Sequence, residues 1–148
     1  MKVQASTGRV LGTTILSVSP FEQDHMSVQS SDQAEWALYK ANTLGSALKL
    51  LRQRDIAVVL CERDLAPGTW TGMLEQMNRM PEAPPLIVTS RLADEGLWVE
   101  ALNLGAYDVL AKPFDRRELV RSISLASLHW RNRHEIPSRF VKVMRAAG

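Results

Sequence analysis

The sequence predicts an α/β domain, a doubly wound five-stranded parallel sheet flanked by about five helices. Two observations lead there. Short runs rich in β-branched and aliphatic residues alternate with segments of helical hydrophobic period, the pattern of successive βαβ units. A chain of 148 residues, 45% hydrophobic and 23% charged, also has the size and composition of one domain that buries its own core.

Residues 1–12 read as a flexible lead-in, and Thr14–Val18 (TILSV) as the first strand. Phe21–Gln33 is polar with few apolar anchors, so the helix expected there is loose or short. Glu35–Ala41 (EWALYKA) is the second strand, followed by a helix carrying Ala47, Leu48, Leu50 and Leu51. Ile56–Cys61 (IAVVLC) is the third, and Met73, Leu74, Met77 and Met80 after it recur at helical spacing. Pro85–Thr89 (PLIVT) and Tyr107–Ala111 (YDVLA) complete the sheet. Between and after them, Ala93–Leu104 sets Leu97, Ala101 and Leu104 on one face, and Asp115–Trp130 does the same for Leu119, Ile123, Ala126 and Trp130. The domain is expected over 13–130, with 131–148 as a C-terminal tail, a short helix or disordered, that carries Phe140, Val141 and Met144 between basic residues.

Composition excludes several classes of function. Lys plus Arg number 18 against 16 for Asp plus Glu, and a net charge of +2 gives no reason to expect nucleic acid or an anionic membrane as partner. The single cysteine, Cys61, lies in an apolar run and reads as core, so neither a disulfide framework nor a thiolate metal cluster is expected. No apolar run reaches the ~18 residues of a membrane span, and no export signal opens the chain. A cytoplasmic protein without a cofactor is the expectation. Neither GxxxxGK(S/T) nor GxGxxG occurs, which removes the two nucleotide-binding loops most expected on such a sheet. His25, His129 and His134 are scattered and show no ligand spacing.

In open α/β sheets, ligands gather beyond the carboxyl ends of the strands. Here those ends bring Ser19-Pro20, Glu62, Thr89-Ser90 and Lys112-Pro113 together: a carboxylate, hydroxyls and an ammonium. This order resembles the receiver domain of two-component response regulators, the phosphorylatable flavodoxin-like module, over roughly Thr13–Trp130. The most specific piece is LNLGAYDVLAKPF, similar to the family's ending in Lys-Pro-Phe, here Lys112, Pro113 and Phe114. The resemblance implies that Lys112 stands where the family's lysine contacts the phosphoryl group, before a typically cis proline. PLIVTS is similar to the fourth strand, with Thr89 at the phosphoryl-binding hydroxyl. VVLCERDLAPG is similar to the third strand and its turn, and places Glu62 at the phosphoacceptor position.

Three departures qualify the resemblance. Where the family carries an acidic pair that holds Mg²⁺, this chain has Ser19 and Pro20, and Glu22 and Asp24 a turn later are expected to face water. A hydroxyl and a proline are poor replacements for carboxylate ligands of a hard cation. Glu62 replaces the acceptor Asp, and its added methylene moves the carboxylate by about 1.5 Å, where misplacement by ~1 Å can cost ~100-fold in rate. Val109 stands at the switch position, where the family has an aromatic ring; Tyr107, two residues earlier, is expected to share its face from deeper in the strand.

Glu62 thus reads either as a built-in imitation of the phosphorylated state or as the remnant of a lost chemistry. An ion pair between Glu62 and Lys112 is expected, since an ammonium at the end of a buried strand favours the charged carboxylate. Asp64 is an alternative acceptor if the register shifts by two residues. Trp70 is expected to pack the start of the third helix against the sheet. Trp98 stands either toward a partner or at the edge of the core, and Arg116, Arg117 and Arg121 form either a solvated helix face or, with Trp98, a partner surface. The expected function is that of a stand-alone, degenerate receiver, not an enzyme, which binds a signalling protein or a second copy of itself through its fourth helix, fifth strand and fifth helix. The rivals are an active phosphoacceptor using Asp64 or Glu62, or a rescued metal site formed with Glu22 or Asp24, and a small flavodoxin-like ligand binder whose anion loop would rest on Ser17 and Ser19.

Overall fold

The computed structural model describes residues 13–29 and 36–135. The expected lead-in, the end of the Phe21–Gln33 segment, the first residue of the second strand and the tail after Glu135 lie outside the described residues.

Five strands alternate with five helices: β1 (Thr13–Val18), α1 (Glu22–Gln29), β2 (Trp36–Ala41), α2 (Leu44–Gln53), β3 (Val58–Glu62), α3 (Trp70–Asn78), β4 (Leu86–Ser90), α4 (Glu95–Leu104), β5 (Asp108–Ala111) and α5 (Arg116–Glu135). All neighbouring strands are parallel, in the order β2-β1-β3-β4-β5. The order reverses between β1 and β3, and a crevice at the strands' carboxyl ends opens at such a reversal. The register aligns those ends, pairing Val18 with Cys61, Glu62 with Thr89, and Ser90 with Ala111.

The central strands β3 and β4 are buried along their whole length, as strands covered on both faces must be. One apolar cluster fills the side of α2, α3 and α4, with Leu16, Val59, Met73, Met77, Val88, Leu97 and Ala101. A second fills the side of α1 and α5, with Ile15, Val58, Leu60, Ile87, Leu119, Ile123 and Ala126. Each fully buried aliphatic side chain contributes about 1.5–3 kcal/mol. Side-chain caps start the helices on the strand ends: Thr43, Thr69 and Asp94 accept from the amides of Ser46, Gly72 and Leu97, and Asp115 accepts from those of Arg117 and Glu118. Gly105, at φ 100°, closes α4 in the left-handed conformation that a side chain disfavours.

Several expectations hold. The helix after β1 is short, Trp70 is buried at the start of α3, Cys61 is fully buried, and Trp130 packs against the α5-side cluster. Others are corrected. β3 runs one residue further than expected and ends on Glu62 itself. Leu104 is 45% exposed rather than part of the buried face, because it sits in the last turn of α4 where the helix leaves the sheet. α5 continues past Trp130 to Glu135. Tyr107 does not share the face of Val109: it precedes the strand, where the two-residue alternation does not apply, and packs on the α5 side with its ring 5.7 Å from that of His129.

α1 differs from the other helices in what anchors it. Val28 is its only buried apolar residue, and the other two buried residues are Asp24 and His25. Polar contacts with the crevice therefore hold it in place.

Candidate functional site

The crevice holds a buried ionic bridge. Lys112, which follows β5 and begins the cis Lys112-Pro113 bond, extends its Nζ to two carboxylates. It lies 2.8 Å from Asp24 Oδ2 and in direct contact with Glu62 Oε1. The three side chains are nearly buried, with exposures of 8% for Lys112, 11% for Asp24 and 2% for Glu62. The expected pairing of Glu62 with Lys112 is present.

The expectation for Asp24 is corrected. It does not face water but enters the crevice from the first turn of α1, whereas Glu22 stays outside in an exposed pair with Lys40 at 3.4 Å. Sequence reasoning raises Asp24 only as part of a rescued metal site in a rival reading and otherwise places it in water, so it misses the pairing with Lys112. A signal for it exists: Asp24 and Val28 lie four residues apart, so the one apolar anchor of α1 marks the face on which Asp24 also falls.

Each carboxylate of the bridge has a second partner. Ser19 Oγ donates to Asp24 Oδ2 at 2.6 Å and accepts from the Phe21 amide at 3.0 Å. Glu62 Oε2 accepts from the Asp64 amide at 2.7 Å. The Phe21 ring, itself 48% exposed, lies over the ammonium with its centroid 5.3 Å from Nζ, within cation–π range. Two carboxylates and a ring thus take up the directions in which an ammonium with three N–H donors can act.

Behind Asp24, His25 is fully buried. Its Nε2 lies 3.0 Å from the Ser19 carbonyl and 3.1 Å from Asn42 Oδ1, and its Nδ1 lies 2.8 Å from Ser17 Oγ. A carbonyl only accepts, so Nε2 carries a proton and donates to it, while Nδ1 and the Ser17 hydroxyl share the second hydrogen bond. Ser17 and Ser19, the hydroxyls on which an anion loop would rest, are both engaged inside the protein.

Thr89 is buried directly opposite Glu62, and Ser90 Oγ accepts from the Leu92 amide at 3.0 Å. Asp64 is exposed in the bend after β3 and comes to the site through its amide rather than its carboxylate. Pro20 is exposed beside the crevice, and Val109 is buried against the α4 side. Burial in the apolar core, and secondarily the charge of Glu62, push the Cys61 thiol up to about 12 from 9.0. Trp98 and Leu102 are exposed on α4, and Arg117 and Arg121 are exposed on α5. Arg116 leaves that group, since its guanidinium turns onto the buried Trp36 ring at 5.5 Å.

No group of three or more His, Cys, Asp or Glu side chains fit to hold a metal ion occurs among the described residues. The two carboxylates that do converge already share a cation of the protein's own, and the hydroxyl beside them is spent on Asp24. This donor set does not fit a Mg²⁺ ion.

Known proteins share this fold. The profile of the response regulator receiver domain matches residues 21–124. The chain is 30% identical over 89 residues to the transcriptional regulatory protein ZraR of Escherichia coli O157:H7, a match covering 60% of this chain and 20% of that protein. It spans about a fifth of the length of the curated relatives it matches. Among solved structures, it is similar to the signal receiver domain of an HD domain-containing protein from Pseudomonas fluorescens Pf-5, at a TM-score of 0.72 and 26% identity over 91% of this chain and 98% of that one. NtrX from Brucella abortus shares the fold at a TM-score of 0.76 and 22% identity, over 85% of this chain and 29% of that one. With five parallel strands in the order β2-β1-β3-β4-β5 and a profile match over most of the chain, this protein belongs to the response regulator receiver domain family.

Proposed function

We propose that this receiver domain has given up phosphoryl transfer and works as a protein-interaction module in two-component signalling, with Glu62 at the phosphoacceptor position as a fixed negative group. The observation that carries the reading is the commitment of Lys112 to Asp24 and Glu62 at once. A phosphoryl group arriving at Glu62 would have to displace a buried ion pair, and breaking such a pair costs about 3–5 kcal/mol. It would do so without metal ligands at Ser19 and Pro20, and from a carboxylate displaced by about 1.5 Å relative to aspartate. Val109, at the switch position, has no ring of its own to carry a change of state to the surface. The domain is held in one state.

Output then comes from binding. The face of α4, β5 and α5 offers exposed Trp98 and Leu102 on α4 and exposed Arg117 and Arg121 on α5, apolar and cationic groups suited to a signalling protein or a second copy of the domain. The reading puts the module in the cytoplasm, with protein rather than nucleic acid or membrane as its partner. No helix among the described residues is long and apolar enough to cross a membrane.

Incubation with acetyl phosphate and Mg²⁺ followed by intact mass measurement tests the loss of chemistry. An unmodified mass is the expected result; a phosphoryl adduct at substantial occupancy overturns the reading.

A further inference from the structure

We propose that the Lys112 ammonium is the resident cation of this site, holding the point between two carboxylates where a divalent ion would otherwise sit, so that the site stays closed in any concentration of metal. The inference rests on the functional reading above and adds to it what replaced the metal.

The geometry supports it from three directions. Asp24 Oδ2, 2.8 Å from Nζ, and Glu62 Oε1, in direct contact with it, face one common point from the first turn of α1 and the end of β3. The Ser19 hydroxyl, 2.6 Å from the same Asp24 oxygen that meets Lys112, fixes that carboxylate in the pose needed to share a cation. An ammonium is a compact point charge, as a hard metal ion is, and both are satisfied by carboxylate oxygens.

The charges say what each cation does. Two carboxylates and one ammonium leave one negative charge, and a divalent ion in place of the ammonium would leave none. Without any cation, two nearly buried carboxylates would face each other, an arrangement that is costly until one of them is neutralised. Because Lys112 is tethered at the end of β5, its local concentration at the site far exceeds that of millimolar free metal. The intact domain is therefore indifferent to divalent ions, and a divalent site appears once the ammonium is removed.

The test is Mn²⁺ titration of the full chain, read by the electron paramagnetic resonance of free Mn²⁺ and by thermal unfolding. Wild type should leave the Mn²⁺ signal free and its Tm unmoved at ~10 mM metal. Lys112→Met, which keeps the apolar stem and removes the charge, should bind one Mn²⁺ with a Kd of ~1 mM or tighter and gain roughly 5 °C in Tm at ~10 mM. Adding Asp24→Asn should abolish both effects. A second measurement needs no variant: acetylation of wild type, mapped by mass, should spare Lys112 relative to the exposed Lys40 and Lys49, equally with and without Mg²⁺. The inference is overturned if folded Lys112→Met binds no Mn²⁺, if wild type binds it with Lys112 in place, or if Mg²⁺ opens Lys112 to the reagent. A phosphoryl adduct on wild type overturns the functional reading, whereas a metal-indifferent Lys112→Met protein with no adduct on wild type overturns this inference alone.

Discussion

Asp24→Asn isolates the residue that ties α1 to the crevice. The substitution keeps the shape of the side chain and removes its charge from a site where Asp24 is 11% and Lys112 is 8% exposed, 2.8 Å apart. Removing one partner of a buried pair costs about 3–5 kcal/mol when the other charge is left uncompensated. Here Glu62 still faces Lys112, so the loss should fall to the scale of a hydrogen bond to a charged group, about 2–3 kcal/mol once the Ser19 contact is included. At roughly 4 °C per kcal/mol for a domain of this size, the Tm should drop by about 10 °C. Urea unfolding and thermal circular dichroism measure both quantities. Glu22→Gln is the internal control, because its pair with Lys40 at 3.4 Å is 54% and 61% exposed and such pairs contribute within about 0.5 kcal/mol. High salt should leave the cost of Asp24→Asn nearly unchanged, since a nearly buried pair is screened little. Equal, small losses for the two variants would refute the claim that α1 is held by the site.

Three further outcomes follow from the same geometry. Glu62→Asp alone should remain unmodified by acetyl phosphate and Mg²⁺, since Ser19 and Pro20 supply no metal ligands; combining it with Ser19→Asp and Pro20→Asp should produce an adduct in the intact mass, and an adduct on the single variant would contradict the account. The Cys61 thiol ionises near 9.0 when unfolded and only toward 12 when folded, so the folded state retains a proton that the unfolded chain releases. Its contribution is fully present below pH 9 and is lost as pH rises toward 12, with a slope approaching about 1.4 kcal/mol per pH unit that Cys61→Ala should lack in urea unfolding between pH 8 and 10. Trp98→Ala and Arg121→Glu should abolish partner capture or self-association, read by light scattering and pull-down, while changing stability by no more than about 0.5 kcal/mol; retained binding in both would remove α4 and α5 as the working face.

Much of this structure was legible from residue order because parallel strands announce themselves. β3 and β4 are buried on both faces, so VVLC and LIVT appear as unbroken apolar runs. Strand ends then located Glu62, Thr89 and Lys112 without knowledge of packing. Asp24 is hard to place from sequence because α1 has little amphipathic pattern: Val28 alone marks its inward face, and a carboxylate among polar neighbours reads as solvated. Its direction is decided by Lys112, which is distant in sequence and supplies the charge that makes burial tolerable. His25 escaped for a similar reason, since its partners Ser17, Ser19 and Asn42 converge only through the pairing of β1 with β2 and the turn after β1. Tyr107 and Arg116 show the limit of spacing arguments at element ends. Alternation and helical period hold inside an element, while tertiary contacts with His129 and Trp36 set the side chains at its margin.

The central claim is that one ammonium binds two carboxylates in solution and keeps doing so in the presence of metal. Nitrogen-detected NMR of the lysine side chains measures this directly, through hydrogen-bond couplings between Lys112 Nζ and the carboxylate carbons of Asp24 and Glu62. A slowly exchanging Lys112 ammonium coupled to both carboxylates and unchanged in ~20 mM Mg²⁺ is the expected result, in line with a nearly buried site whose two carboxylates already share that ammonium. An ammonium that exchanges as fast as that of the exposed Lys40, or one that loses its couplings when Mg²⁺ is added, would contradict it.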